Sequence, residues 1–362
     1  MKISKEKILV LSSIIISLLL IELLLRILSV NLPGRARDLK SDLYKEYSIE
    51  ELDLNIPFRH KNHGGECIKM GSRKKMQWHP RFGYNDKNIN FDCLEKLFSE
   101  GKTNVIFMGG SGMANYETPN FLTSIEYYMF KNSDEFRSIN LAESGARLSN
   151  ELSIFIEYLP KMKIKPDIII FFDGYNEFNG IQYNGEPDDD YYWSAGVKRR
   201  VHEPYKFYFD AVIERSHLFK FLLNDILRFS SARIAPDEMA KSKIIESARE
   251  YVYRKNILDN LCSVYKIKCI YTLQPVFVLS KNLIGKTDQQ ISKFILKYFK
   301  NNEMIYKIGY AEILNLDRSL KYNLTNIFDN QSNIYFDDVH TNKYGSEIIG
   351  RHLRKILDIE KN

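Results

Sequence analysis

Residues 104–118 read NVIFMGGSGMANYET, and the change of character inside this stretch decides the fold. Residues 105–109 form a short apolar run without alternation, which predicts a β-strand that is covered on both faces. The run leads directly into Gly110, Ser111 and Gly112, so the serine would lie on a turn from a strand into a helix. Such a turn holds a hydroxyl exposed and fixed, and flanking glycines let another backbone or a substrate approach it closely.

Predicted strands and helices alternate along the rest of the chain. Continuous apolar runs predict strands at 138–142, 167–173 and 268–273, and apolar residues at helical spacing predict helices within 148–159, 244–261 and 348–356. Strands that alternate with helices indicate a parallel sheet with helices on both faces. We therefore predict an α/β fold.

The N-terminus has the clearest topological signal. Residues 8–30 are almost entirely apolar and follow three lysines, and a run of this kind can span a bilayer core, which needs about 20 residues. A cleaved signal peptide is the alternative, but its apolar region is usually shorter and a small-x-small site is missing here. We expect a cytoplasmic tip and transmembrane anchor over 1–30. The N-terminus would then be cytoplasmic, and the rest of the chain would lie in the periplasm or at the cell surface.

The chain after the anchor divides into two further regions. Residues 31–77 are polar and irregular, which is typical of a stem and N-terminal decoration. Residues 78–362 carry the alternating pattern, interrupted at about 179–243 by an insertion that does not fit it. The insertion contains an apolar stretch, 207–229, which could be a lid, could touch the bilayer or could simply pack on the domain.

Composition argues against nucleic-acid binding and a zinc site, and it leaves the state of the four cysteines open. The net charge is +6, but the basic residues are scattered, so no nucleic-acid partner is expected. The sequence has no CxxC motif and no cysteine–histidine spacing typical of zinc, so no metal site is predicted. The four cysteines favour the pairs Cys67–Cys93 and Cys262–Cys269, whose members lie in the same regions, although four buried free thiols fit equally well.

Polar residues and glycines follow the predicted strands. In open parallel sheets, sites lie beyond the carboxyl ends of the strands, so these residues should meet at one edge. They are Gly145 after the second strand, Asn176 and Glu177 after the third, Gln274 after the fourth, and Asp337 and His340 before the last helix.

Ser111 becomes a candidate nucleophile in this setting. A serine hydroxyl is a poor nucleophile unless a base takes its proton, and His340 could be that base. Asp337, three residues earlier, could fix the tautomer of the imidazole, and the neighbouring Asp338 is a rival for this role.

The remaining residues suggest how a substrate would be held. The backbone N–H groups of Ser111 and Gly145 and the side-chain amide of Asn176 could together stabilise an oxyanion. Gln274 and Glu177 are candidate substrate contacts at the same edge.

The order of these residues resembles the GDSL esterases, also called SGNH hydrolases. The four blocks of that family are similar to Gly109-Gly110-Ser111, Asn140 with Gly145, Gly174-Tyr175-Asn176-Glu177, and Asp337 with His340. The GGS form, His79-Pro80-Arg81-Phe82-Gly83-Tyr84 and Leu273-Gln274-Pro275 are similar to features of membrane-anchored bacterial members. Gly110 and Glu177 depart from the family, because each stands where the family has an aspartate.

The resemblance, over residues 78–178 and 244–357, implies a fold and an activity. The fold would be a flavodoxin-like three-layer sandwich with a central parallel sheet of about five strands. The activity would be that of a serine ester hydrolase without cofactor, with Ser111, His340 and Asp337 as its triad. With the anchor, this suggests acyl or acetyl esters of cell-surface polysaccharide as substrates. The alternatives are an O-acyltransferase to glycans, a phospholipid-directed lipase and a catalytically inactive envelope scaffold.

Overall fold

The computed structural model describes a large part of the chain that follows the stem. The described residues are 13, 17, 20, 67–70, 78–79, 83–84, 87–98, 101–114, 125–130, 133–143, 145–184, 238–298 and 301–361. The chain divides into two compact units, Met1–Lys45 with Ser194–Arg233 and Glu46–Trp193 with Ile234–Asn362.

Some of the sequence predictions therefore cannot be compared with the structure. Nearly all of the predicted anchor at 8–30, most of the stem and the apolar stretch at 207–229 lie outside the described residues. Within the described residues, no helix combines the length and the apolar character needed to cross a membrane.

The described strands form two small antiparallel pairs and one central sheet. The small pairs are β1 (Ile68–Met70) with β4 (Lys87–Ile89), and β2 (Trp78–His79) with β3 (Gly83–Tyr84). The central sheet consists of β5 (Thr103–Gly109), β6 (Phe136–Asn140), β7 (Ile168–Asp173), β8 (Lys268–Leu273) and β9 (Tyr322–Asn323).

The central sheet is parallel throughout, with the spatial order β6-β5-β7-β8-β9 in the described part of the chain. This order places the first two strands of the sheet in reversed sequence and the others in chain order, as in a flavodoxin-like fold. The predicted parallel sheet of about five strands is therefore confirmed.

Helices cover both faces of the sheet, which confirms the α/β sandwich. They are α1 (Phe91–Leu97), α2 (Ser111–Ala114), α3 (Ile125–Phe130), α4 (Leu148–Tyr158), α5 (Tyr175–Asn184), α6 (Glu238–Tyr265), α7 (Lys286–Tyr298), α8 (Asn302–Leu316) and α9 (Lys343–Lys361). Strand β7 lies in the middle of the sheet, and all six of its residues are buried. Its side chains alternate between two cores, as the pleat of a strand requires: Ile169 and Phe171 belong to one core with α4, α6 and α8, and Ile170 and Phe172 to the other with α3, α7 and α9.

Both predicted disulfides are present. Cys67 pairs with Cys93, and Cys262 at the end of α6 pairs with Cys269 in β8. The second bridge closes a loop of only a few residues between a helix and the strand that follows it.

The register of the sheet brings several strand ends to one edge. Gly109 at the end of β5 lies opposite Phe172 in β7, and Asp173 lies opposite Leu273 at the end of β8. The segments that follow these three strands therefore begin side by side, which is what assembles the candidate site.

Candidate active site

Two glycines before Ser111 allow a close approach of backbone and side chains. Gly109 has φ +151°, and a Cβ atom there would lie 2.7 Å from the carbonyl oxygen of Phe172. A Cβ atom on Gly110 would lie 2.1 Å from the side-chain nitrogen of Asn176, so a larger residue there would require this amide to move. Ser111 then begins α2, as the sequence predicts for a strand-to-helix turn. Gly109 and Gly110 thus allow the residues before Ser111 to lie close to Phe172 and Asn176.

The imidazole of His340 bridges Ser111 and Asp337. Its Nε2 lies 2.7 Å from the hydroxyl oxygen of Ser111, and its Nδ1 lies 2.7 Å from a carboxylate oxygen of Asp337. A carboxylate only accepts hydrogen bonds, so Nδ1 carries the proton and Nε2 accepts the proton of the serine hydroxyl. This is the arrangement in which the histidine can act as a general base.

The carboxylate of Asp337 is itself held by its own loop. Its second oxygen accepts the backbone N–H groups of Val339 at 3.0 Å and His340 at 2.7 Å. Asp338, the rival candidate, instead accepts the hydroxyl of Tyr175 at 2.5 Å. Asp337 is therefore the residue that contacts the imidazole.

Asn176 and Gly145, the two other candidate oxyanion donors, lie near the end of β5. The side-chain amide of Asn176 donates to the carbonyl of Ala146 at 2.8 Å, and an amide nitrogen has a second hydrogen to offer. Gly145 has φ +74°, in a turn where the N–H of Ala146 donates to the carbonyl of Glu143 at 3.0 Å. The N–H of Glu143 donates to the carbonyl of Gly109 at 3.0 Å, so this turn is fixed to the strand that leads to Ser111.

Asn140 of the second block connects α2, which begins at Ser111, to the loop that contains Gly145. Its side-chain nitrogen donates to the carbonyl of Met113 in α2 at 3.0 Å, and its side-chain oxygen accepts the N–H of Ala142 at 3.0 Å. Asn140 therefore holds the backbone of Met113 and of Ala142 in place.

Glu177 is a correction to the sequence interpretation. Its side chain is only 1% exposed; one carboxylate oxygen accepts the N–H of Leu148 at 2.7 Å, and the other lies 3.4 Å from the guanidinium of Arg147. The carboxylate thus pairs with a buried arginine and satisfies the N-terminus of α4, where negative charge is favourable. It is engaged inside the protein and is not available as a substrate contact.

Gln274 is buried and lies next to the turn that carries Ser111. Its side-chain oxygen is 3.3 Å from where a Cβ atom on Gly112 would be, and its backbone carbonyl accepts the hydroxyl of Tyr310 at 3.2 Å. The side-chain oxygen has no hydrogen-bond partner in the described structure. A role in substrate binding stays a prediction for this residue.

Two further carboxyl groups are buried behind the third block. Asp173, the last residue of β7, and Glu151 of α4 are both almost fully inaccessible to solvent. Burial raises the pKa of Asp173 to about 7, and burial together with the nearby Asp173 carboxylate raises the pKa of Glu151 well above its usual value. At neutral pH the pair therefore retains at least one proton. The sequence gives no signal for this pair, because the two residues belong to different elements.

No arrangement of three or more histidine, cysteine or acidic side chains suited to a metal ion occurs among the described residues.

Comparisons with known proteins give structural likeness only. Comparison of the sequence with protein-family models finds no match, and comparison with curated proteins finds none. The solved structures that are similar to this chain include an acetyl xylan esterase, at 12% identity and a TM-score of 0.35, covering 70% of this chain and 98% of the other.

Two other solved structures show the same kind of likeness. A carbohydrate acetylesterase family member from Sinorhizobium meliloti is 11% identical, with a TM-score of 0.37 and coverage of 71% of this chain and 98% of the other. A lipolytic G-D-S-L family protein from Veillonella parvula is 9% identical, with a TM-score of 0.36 and coverage of 70% and 97%. Of these three descriptions, only the last one names the G-D-S-L family. Since the identities and TM-scores are low, we base the functional proposal on the site geometry.

Proposed function

We propose that this chain is a serine esterase in which Ser111 is the nucleophile, His340 the general base and acid, and Asp337 the residue that orients the imidazole. The observation that carries the proposal is the continuous line of hydrogen bonds from the Ser111 hydroxyl through both nitrogens of His340 to Asp337, each 2.7 Å long. Contacts at this distance are within the reach needed for proton transfer.

The reaction would proceed through an acyl-enzyme. The Ser111 oxygen attacks the ester carbonyl while Nε2 of His340 takes the hydroxyl proton. The oxyanion accepts hydrogen bonds from the N–H groups of Ser111 and Gly145 and from the amide of Asn176. The protonated imidazole then gives its proton to the departing alcohol, and a water molecule releases the acyl group by the same steps in reverse.

We further propose that the chain acts outside the cytoplasm on acyl or acetyl esters of cell-surface polysaccharide, anchored through residues 8–30. The two disulfides support an oxidising compartment, where such bonds persist. The apolar run at 8–30 supports the anchor. Transfer of the acyl group to a glycan hydroxyl uses the same acyl-enzyme, with a sugar in place of water. The hydrogen bonds that connect Ser111, His340 and Asp337 argue against a catalytically inactive scaffold.

A fluorophosphonate probe tests the enzymatic proposal. The purified full-length protein, kept in detergent, should be labelled, and the Ser111→Ala variant should not. Ser153→Ala is the matched control, because the Ser153 hydroxyl lies in α4 and donates to the backbone carbonyl of Ser149 in the same helix. Labelling that survives Ser111→Ala, or no labelling of the intact protein, would contradict the proposal.

Turnover of model esters then separates the substrate classes. Acetyl esters should be better substrates than long-chain esters if the natural substrate is an acetylated glycan. A preference for long-chain esters would favour a lipase, and release of product only when a sugar is added would favour a transferase.

A further inference from the structure

We propose that Tyr175 is a positioning residue, whose hydroxyl holds the His340 loop at the correct distance from the oxyanion side of the site through Asp338. This inference rests on the proposed esterase function and extends it to a residue that the sequence pattern leaves without a role. Here the His340 loop means residues 337–340.

The hydrogen bond between Tyr175 and Asp338, called the tie below, joins two parts of the site that come from distant regions of the chain. The hydroxyl of Tyr175 donates to a carboxylate oxygen of Asp338 at 2.5 Å. Tyr175 directly precedes Asn176, the candidate oxyanion donor. Asp338 lies between Asp337 and His340. One hydrogen bond therefore connects the start of α5, which would bind the oxyanion, to the loop that would carry the base.

Tyr175 is a rigid point of attachment. Its ring is buried and stacks on the ring of Tyr306 in α8, with centroids 5.1 Å apart and planes 8° from parallel. The hydroxyl of Tyr306 also donates to the backbone carbonyl of Tyr175 at 3.3 Å. The preceding Gly174 has φ +121°, and a Cβ atom there would lie 2.5 Å from the hydroxyl of Tyr310. Both the ring and the backbone of Tyr175 are thus fixed against α8.

The His340 loop is held by backbone bonds at other points. The carbonyl of Asp338 accepts the N–H of Phe277 at 2.9 Å, and the carbonyl of His340 accepts the N–H of Phe336 at 2.9 Å. These bonds connect the loop to the segment after β8 and to itself. The Asp338 side chain adds a direct connection to the third block. Because a displacement of about 1 Å in a catalytic group can cost about 100-fold in rate, a fixed connection at this point matters for turnover.

Removing the hydroxyl should slow the chemistry without weakening binding. We expect Tyr175→Phe to lower kcat about 10- to 100-fold on an acetyl ester while KM stays unchanged. The rate of fluorophosphonate labelling should fall in parallel. Asp338→Ala should give the same loss, and Asp338→Asn should retain most of the activity, because an amide oxygen still accepts the tyrosine hydroxyl.

Tyr322→Phe is the matched control. It also removes a tyrosine–carboxylate hydrogen bond, that of Tyr322 with Glu360, but this bond joins β9 to α9. We expect its kcat to equal that of the unmodified protein. A merely structural effect of Tyr175→Phe would lower the melting temperature but leave kcat per labelled site unchanged.

A double-mutant cycle and a spectroscopic readout complete the test. If the tie acts as one unit, Tyr175→Phe with Asp338→Ala should be no slower than either single variant. The downfield proton resonance of the His340 Nδ1–H, assigned with His340→Ala, should broaden in Tyr175→Phe and stay sharp in Tyr322→Phe. Multiplied losses in the double variant, or unchanged kcat and resonance in Tyr175→Phe, would overturn the proposal. If the intact protein turns over no ester, the esterase proposal fails, and the resonance still decides whether the tie exists.

Discussion

At the scale of single residues, Gly110 shows how this chain differs from the family it resembles. That family has an aspartate before the nucleophile, whereas here a side chain at that position would meet the amide of Asn176 at 2.1 Å. The glycine and the close asparagine therefore belong together. Gly110 leaves room for the Asn176 amide at this position, and a larger residue would require that amide to move.

Gly110→Ala should displace the Asn176 amide and so remove one of the proposed oxyanion donors. Loss of one such donor typically costs about 100- to 1000-fold in kcat, so we expect a decrease of that order for Gly110→Ala and for Asn176→Ala. The two changes should not add, because they act on the same donor. Steady-state kinetics on an acetyl ester measure this, and full activity in Gly110→Ala would refute it.

At the scale of elements, the Arg147–Glu177 pair connects α4 and α5 behind the site. Arg147 follows Ala146, whose carbonyl accepts the Asn176 amide, and Glu177 follows Asn176 itself. The buried ion pair and the hydrogen bond therefore lie side by side between the start of α5 and the residues that precede α4. The arrangement fixes the turn of Gly145 relative to the amide of Asn176.

Glu177→Ala should destabilise the fold strongly. Removal of one partner leaves the Arg147 charge buried without its carboxylate, which typically costs about 3 to 5 kcal/mol. Denaturant unfolding measures the free energy. Glu157→Ala is the control: it breaks the partly exposed pair of Glu157 with Lys161, and such pairs contribute at most about 1 kcal/mol. Equal losses of unfolding free energy in Glu177→Ala and Glu157→Ala would show that the buried pair contributes no more to stability than the partly exposed one.

The carboxyl groups between β7 and α4 should make stability dependent on pH. Asp173 has a pKa raised from 3.8 to about 7, so the folded protein holds a proton that the unfolded chain releases between these values. This contribution is fully present below about pH 4 and is lost as the pH rises through about 7.

Asp173→Asn should therefore flatten the fall in unfolding free energy between pH 5 and about 7. The comparison variant is Asp358→Asn, which removes a largely exposed carboxylate of α9 and should leave the slope unchanged. Denaturant unfolding at several pH values gives both slopes. An identical slope in Asp173→Asn and the unmodified protein would show that the buried pair does not retain its proton.

At the scale of the whole molecule, local patterns were enough to predict the parallel sheet and the residues at its edge. A continuous apolar run predicts a buried strand, and the strand predicted at 167–173 agrees with β7 (Ile168–Asp173) to within one residue. The last strand, Tyr322–Asn323, escaped because two residues form no pattern. The cysteine pairs were favoured because their members lie in the same regions of the chain.

The contacts that sequence did not reveal all join distant segments. The sequence places Glu177 after a strand at the edge of the sheet, which predicts a substrate contact. Its partner Arg147 lies 30 residues away, and nothing in the sequence links the two. The contact of Tyr175 with Asp338 spans 163 residues. Such pairings depend on how the helices pack against the sheet, which only the folded structure provides.

The most direct test of the account is to find the acyl group on the enzyme. The protein is incubated with p-nitrophenyl acetate, quenched in acid and mapped by peptide mass spectrometry. We expect the acetyl group on Ser111, and we expect it to disappear in His340→Ala. An unmodified Ser111, or acetylation of Ser111 that persists without His340, would contradict the catalytic role of this site.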